Sequence, residues 1–180
     1  MGICVYYGFE LIEKKKQKVL STLKKIRKRI MRLSVIEIGD IFEIKRYYFK
    51  PEKGMTEAEL IGYSFALNLL WEFPVDAFKK EDRKKIKKII EDNSFGLGLK
   101  ICITKECDPF YINLGRLGKD FRWQGGNFTK LPSGDEYEEA YSKILEILEI
   151  CREEGILESV FSEAEDKWLY KKEVLENKLL

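Results

Sequence analysis

The sequence predicts an α+β fold, a single domain over residues 1–180 whose mainly antiparallel sheet is covered by amphipathic helices. Three observations carry that expectation. Leu97, Leu99, Ile101 and Ile103 alternate with Gly98, Lys100, Cys102 and Thr104, the two-residue period of a strand. After Lys105-Glu106-Cys107-Asp108-Pro109 the alternation resumes with Phe110, Ile112 and Leu114, so the runs pair as antiparallel neighbours with one apolar face. Burying these seven side chains is worth roughly 1.5–3 kcal/mol each before the entropy of ordering them, which makes this pair the floor of the core. Third, Val19, Leu23, Ile26, Ile30 and Leu33 recur at spacings of four and three, as do Tyr137, Tyr141, Ile144, Leu148 and Cys151. Each set is one apolar stripe on a helix.

Taken in order, Ile3, Val5, Tyr7 and Phe9 alternate with Cys4, Tyr6 and Gly8, a strand near 2–9. A helix near 14–32 follows, with Glu10 and Glu13 at its start and basic residues running to its end, as the helix dipole favours. Residues 34–49 read as strand structure interrupted by a turn or bulge at Gly39-Asp40, the longer piece being 41–49. Pro51 to Gly54 breaks the chain, and Thr56 with Glu59 has the spacing of a capping box. Leu60 to Phe73 is apolar on almost every side, so it reads as a helix that is core or covered by a partner, with a strand for part of it as the alternative. Pro74 stops it, and a second basic helix over 79–88 turns Ile86, Ile89 and Ile90 inward.

Strands are then expected near 96–104, 109–114 and 120–130, with Gly125-Gly126 as a hairpin turn that returns Asn127 to Lys130 beside Asp120 to Gln124. The mixed face of the 96–114 pair leaves two readings, a helix lying close over its glycines or partial solvation. Ser133 with Glu136 offers a second capping box for the helix near 135–154, which Gly155 ends. A short strand at 156–161 and a terminal helix from Glu165 to Leu179, with Trp168, Leu175 and Leu179 inward, complete the chain.

Composition bounds the function. Charged residues make up 36% of the chain, well above the usual quarter, with Lys and Glu dominant, a thermophile-like balance. Charge is uneven along the chain, with 13 Lys/Arg against 5 Asp/Glu in residues 1–50 and 6 against 14 in residues 135–180. The basic first helix is therefore expected near the acidic C-terminal helix, within one chain or across a dimer. Four cysteines are scattered, three of them within apolar patterns, where thiols act as small hydrophobes. The expected hairpin leaves open a meeting of Cys102 and Cys107, whose geometry a sequence does not establish. Neither a signal-type leader nor an apolar run near 18 residues is present, so a cytoplasmic protein without membrane attachment is expected.

With no histidine anywhere, Ser-His and Cys-His pairs and imidazole metal ligands are excluded. Cys107 sits between Glu106 and Asp108, whose charges disfavour a thiolate. Carboxylates at Glu106, Asp108, Glu163, Glu165 and Asp166 are the raw material for a metal enzyme, yet no spacing selects them. Nucleotide-binding loops are absent, Gly115-x-x-Gly118-Lys119 falling well short of one. The reading leans away from an enzyme and names no catalytic residue, no metal ligand and no cofactor. The one aromatic-plus-basic cluster is Arg116, Lys119, Arg122, Trp123, Phe128 and Lys130, joined by Phe121. Together with basic helices 14–32 and 79–88 it makes nucleic-acid binding the alternative function.

Met1 to Tyr7 (MGICVYY), Lys105 to Pro109 (KECDP) and the acidic-aromatic segment Ser162 to Trp168 give the chain a further aspect. It resembles an uncharacterised group of short prokaryotic proteins that open with a Met-Gly-Ile-x-Val-Tyr-Tyr strand and later carry a Glu-Cys-Asp/Glu-Pro turn. The resemblance covers roughly the first 35 residues and the stretch after Phe95. It implies no established activity, and the histidine that members often carry in the late helix is missing here. The expectation is a non-catalytic binding or interaction protein of unknown ligand, with Leu60–Phe73 read either as a central core helix, the favoured option, or as a surface for self-association. Nucleic-acid binding is second and carboxylate-dependent metal catalysis third.

Overall fold

Alternating burial at the N-terminus sets the first strand. Val5, Tyr7 and Phe9 are buried while Tyr6 between them is exposed. In the computed structural model, which describes residues 3–45, 50, 52–56, 59–60, 84, 94–117 and 122–172, this strand is β1 (Cys4–Ile12). Helix α1 (Lys16–Ile30) follows, burying Val19, Leu23, Ile26 and Ile30 as the stripe demands. Two short strands come next, β2 (Glu37–Ile38) and β3 (Phe42–Ile44), both on the edge of β4 (Ser94–Cys102). The chain continues with β5 (Phe110–Leu117), β6 (Arg122–Lys130), helix α2 (Tyr137–Glu153), β7 (Leu157–Ser162) and β8 (Lys167–Lys171).

The eight strands form one sheet in the order β2-β4-β5-β6-β1-β7-β8, with β3 also on β4, and every pairing is antiparallel. The fold is thus α+β. The N-terminal strand lies inside the sheet, between β6 and β7, so both of its backbone edges are bonded. Directly opposed residues share a face, so Leu97, Leu99 and Ile101 lie with Leu114, Ile112 and Phe110. These side chains, the Val5–Tyr7–Phe9 face of β1 and the buried stripes of both helices belong to one core cluster. Inside it Tyr7 stacks on Phe110, ring centroids 4.3 Å apart, and its hydroxyl lies 3.0 Å from Thr129 Oγ1. Arg29 near the end of α1 pairs with Glu153 and Glu154 at the end of α2, joining the basic helix to the acidic region.

Several expectations are corrected. Gly125-Gly126 is not a turn but the middle of the continuous strand β6, opposite Phe9 and Gly8. Residues 167–171 form β8 rather than the start of a terminal helix, because β7 offers them a full backbone ladder. Trp168 is consequently 57% exposed instead of inward. The space over Gly98 is filled by the Phe42 ring of the edge strand, not by a helix. Ser133 does not cap α2. Glu136 occupies the cap position without a side-chain cap bond, and its carboxylate accepts from the Glu106 amide instead. Glu10 belongs to β1 rather than to the helix start.

Other signals hold. Thr56 and Glu59 exchange the two capping-box bonds, and Gly155 ends α2 at φ 78°. None of the four cysteines is in a disulfide. The helix expected over Leu60–Phe73 and the basic helix over 79–88 lie outside the described residues, apart from Leu60 and Lys84.

Candidate functional site

On the face of β1 that points away from Val5, Tyr7 and Phe9 stands Tyr6. Strand register sets its neighbours. Tyr6 is opposite Phe128 of β6 on one side and Phe161 of β7 on the other, and Phe161 is opposite Trp168 of β8. Four aromatic side chains therefore form one row across four adjacent strands. Successive ring centroids are 5.6, 6.4 and 5.5 Å apart, within the range of favourable aromatic pairs. Such pairs stabilise a sheet, but Tyr6, Phe128 and Trp168 remain 41%, 51% and 57% exposed. Lys171 lies over the Trp168 ring at 5.4 Å.

Polar groups frame the row. Lys130 is exposed beside its Phe128 end, opposite Cys4. The exposed acids Glu163, Glu165 and Asp166 lie in the β7–β8 turn, on the same side of the row as Lys130, since Glu163 and Lys130 both neighbour Cys4. Glu163 is held firmly, accepting from the Cys4 amide at 2.7 Å and from the Tyr6 hydroxyl at 2.9 Å. Those bonds favour its ionised form and lower its pKa. Deeper along the strands, Gly8 lies under Ser159 Oγ and the Glu158 carboxylate. Burial, then the neighbouring Glu10, raises the Glu158 pKa. Glu10 itself pairs with Arg122 at 2.7 Å.

The bond to Glu163 pushes the Tyr6 phenol up to about 12, since the carboxylate accepts the proton that ionisation would remove. A folded-state pKa above the unfolded value means this stabilisation is complete below about pH 10 and is lost as pH rises through about 12. NMR titration of the Tyr6 ring in Glu163→Ala is expected to move its midpoint back towards that of a free phenol. An unchanged midpoint would remove Glu163 as the cause.

The aromatic-plus-basic cluster of the sequence is divided by the strands. Trp123 is wholly buried, its Nε1 donating to the Glu13 carbonyl at 2.8 Å and its ring edge-on to Phe95. Arg116 stays with it, its guanidinium over the Phe95 and Trp123 rings and donating to the Lys14 carbonyl. Arg122, Phe128 and Lys130 alternate with Trp123 and Thr129 and so share the other face. Lys119 and Phe121 lie outside the described residues. Of the six named residues, only Phe128 joins the aromatic row. Tyr6, Phe161 and Trp168 were missed because they lie far apart in sequence. The available signal was Tyr6 itself, an aromatic at the solvent position of an alternating strand.

Among the described residues, no three Cys, Asp or Glu side chains gather as metal ligands. Glu165 accepts from Tyr141 at 2.6 Å and pairs with Lys167, so it does not join Glu106 or Asp108 in one cleft. Burial, then Asp108 and Glu136, pushes the Cys107 thiol up to about 11, far from a nucleophilic thiolate. An open cleft of about 670 Å³ between α1 and α2 is lined by Arg29, Arg32, Glu146 and Glu149 with Leu33 and Leu145. Ser142 also lines it. No described helix is long and apolar enough to cross a membrane. A scan of protein-family models and searches of curated proteins and solved structures found no match for this chain.

Proposed function

We propose that this is a non-catalytic cytoplasmic interaction protein that associates with a second copy of itself through the aromatic face of the sheet. In this reading the two helices cover one face and leave the other for the partner. The observation that carries it is the row Phe128–Tyr6–Phe161–Trp168, contiguous across four strands with three of its rings more than two-fifths exposed. Contiguous exposed apolar surface of this kind marks interaction sites on soluble proteins. Strands of 9, 9, 6 and 5 residues about 4.8 Å apart span a face of roughly 460 Å², the scale of a weak, reversible interface rather than of a standard one.

Charge placement favours a second copy as the occupant. Lys130 lies on β6 and the Glu163–Asp166 turn joins β7 to β8, both on the same side of the row. A twofold axis parallel to the strands sets Lys130 of each copy towards the acidic turn of its partner, while Phe128 meets Trp168. Such an isologous contact is self-complementary. Four cysteines without a disulfide support the cytoplasmic part of the proposal, since reducing compartments keep thiols reduced.

Sedimentation equilibrium tests it. The wild-type protein is expected to show a concentration-dependent monomer–dimer equilibrium, and Phe128→Ser with Trp168→Ser to weaken it at least about tenfold with an unchanged circular dichroism spectrum. A wild-type monomer at every concentration would end the proposal. So would a dimer indifferent to both substitutions, which would place the contact elsewhere, as over Leu60–Phe73.

A further inference from the structure

Helix α1 carries a second surface that the sheet face does not use. At 100° per residue, Lys18, Ser21, Lys24, Lys25 and Lys28 fall within one arc of about 120°, opposite the buried Val19, Leu23, Ile26 and Ile30, and Arg32 follows in the turn just past the helix end. All except Ser21 are cations, and all six are exposed. The cations flanking this arc are tied into the fold. Lys16 pairs with Glu43, Arg27 with Asp40, and Arg29 with Glu153 and Glu154. Lys24, Lys25, Lys28 and Arg32 have no acidic partner among the described residues. The helix thus separates structural cations from a strip of cations that make no ion pair among the described residues, Arg32 sharing its cleft with Glu146 and Glu149.

We propose that this strip binds the phosphate backbone of double-stranded nucleic acid without reading its sequence. From Lys24 to Arg32 it runs roughly 12 Å along the helix axis, over which a duplex presents about seven phosphates. No aromatic side chain lies in the arc, so unpaired bases find nothing to stack on, which disfavours single strands. An anionic membrane surface is the other large polyanion. Helices that lie on membranes insert a broad apolar face, and here that face is sealed in the core, leaving Met31 as the exposed apolar side chain at the strip's edge. Lysines bind phosphates as point charges and specify no base, so affinity is electrostatic and steeply dependent on salt. The aromatic row lies on the opposite face of the strands from the core cluster that α1 joins, so the two surfaces operate independently.

Fluorescence anisotropy with labelled 30-base-pair DNA and RNA duplexes of mixed sequence, titrated from about 50 to 200 mM salt, tests the proposal. The wild-type protein is expected to bind both duplexes, with a log–log salt slope near −3.6 for four neutralised phosphates. Replacing Lys24, Lys25, Lys28 and Arg32 with Gln is expected to lower duplex affinity more than about tenfold at low salt and to flatten the slope. Lys143→Gln with Lys167→Gln, which removes two cations already paired with Glu139 and Glu165, is expected to leave binding unchanged. Binding to one duplex type alone would assign that nucleic acid as the ligand. No duplex binding at low salt, equal binding by the four-Gln variant, or tighter binding to single strands or phosphatidylserine vesicles would overturn the proposal. None of these results depends on whether the protein dimerises through its sheet.

Discussion

Gly125→Ala is expected to destabilise the protein by at least about 3 kcal/mol, a large share of the stability of a domain this size. A Cβ built on Gly125 would collide with Asn113 Oδ1 and with the Asn113 carbonyl oxygen. The side-chain amide can swing away, but the carbonyl belongs to β5 and cannot. Gly125 is also opposite the wholly buried Phe9, so β6 has no room to retreat. Steric exclusion is the sole reason for this glycine, whose backbone is not in the left-handed region. Gly134 is the useful contrast, with φ 84° and open space around it. Its alanine substitution is expected to cost only about 1 kcal/mol, through backbone strain. Urea midpoints of the two variants separate the mechanisms. Equal midpoints would mean that β5 and β6 are further apart than described.

Trp123→Ala is expected to cost about 3–5 kcal/mol, as the loss of a wholly enclosed large side chain does. Trp123→Phe retains the ring packed against Phe95 and removes the Nε1 bond to the Glu13 carbonyl, at about 1 kcal/mol. The comparison bears on function as well as stability. A tryptophan that stacks on bases would lose nucleic-acid affinity on truncation and leave the fold intact. The buried ring of Trp123 predicts the reverse order. Thermal melts and duplex titrations on the Phe variant decide between them, a stable variant with abolished binding being the contrary result.

Local pattern was legible wherever one face of an element is core. The Leu97–Ile103 alternation and the Val19–Ile30 stripe are buried as their periods require, because burial of one face is the signal that periodicity records. Three features were not legible, for physical reasons. Trp168 fits a helical stripe with Leu175 and Leu179, but the free edge of β7 supplies a ladder that outweighs local propensity. Gly125-Gly126 has the composition of a hairpin turn, and only the crossing of Asn113 beneath it explains glycine inside a strand. The aromatic row depends on strand order. Tyr6, Phe128, Phe161 and Trp168 meet only because the chain returns β1 to the middle of the sheet, and no spacing in the sequence encodes that order.

Hydroxyl-radical footprinting of the wild-type protein at dilute and high concentration tests the central claim most directly, because it reads the interface residue by residue. Self-association through the aromatic face predicts that Tyr6, Phe128, Phe161 and Trp168 become protected together as concentration rises, while Met31 on α1 stays equally reactive. Protection confined to other residues, or reactivity independent of concentration, would contradict it.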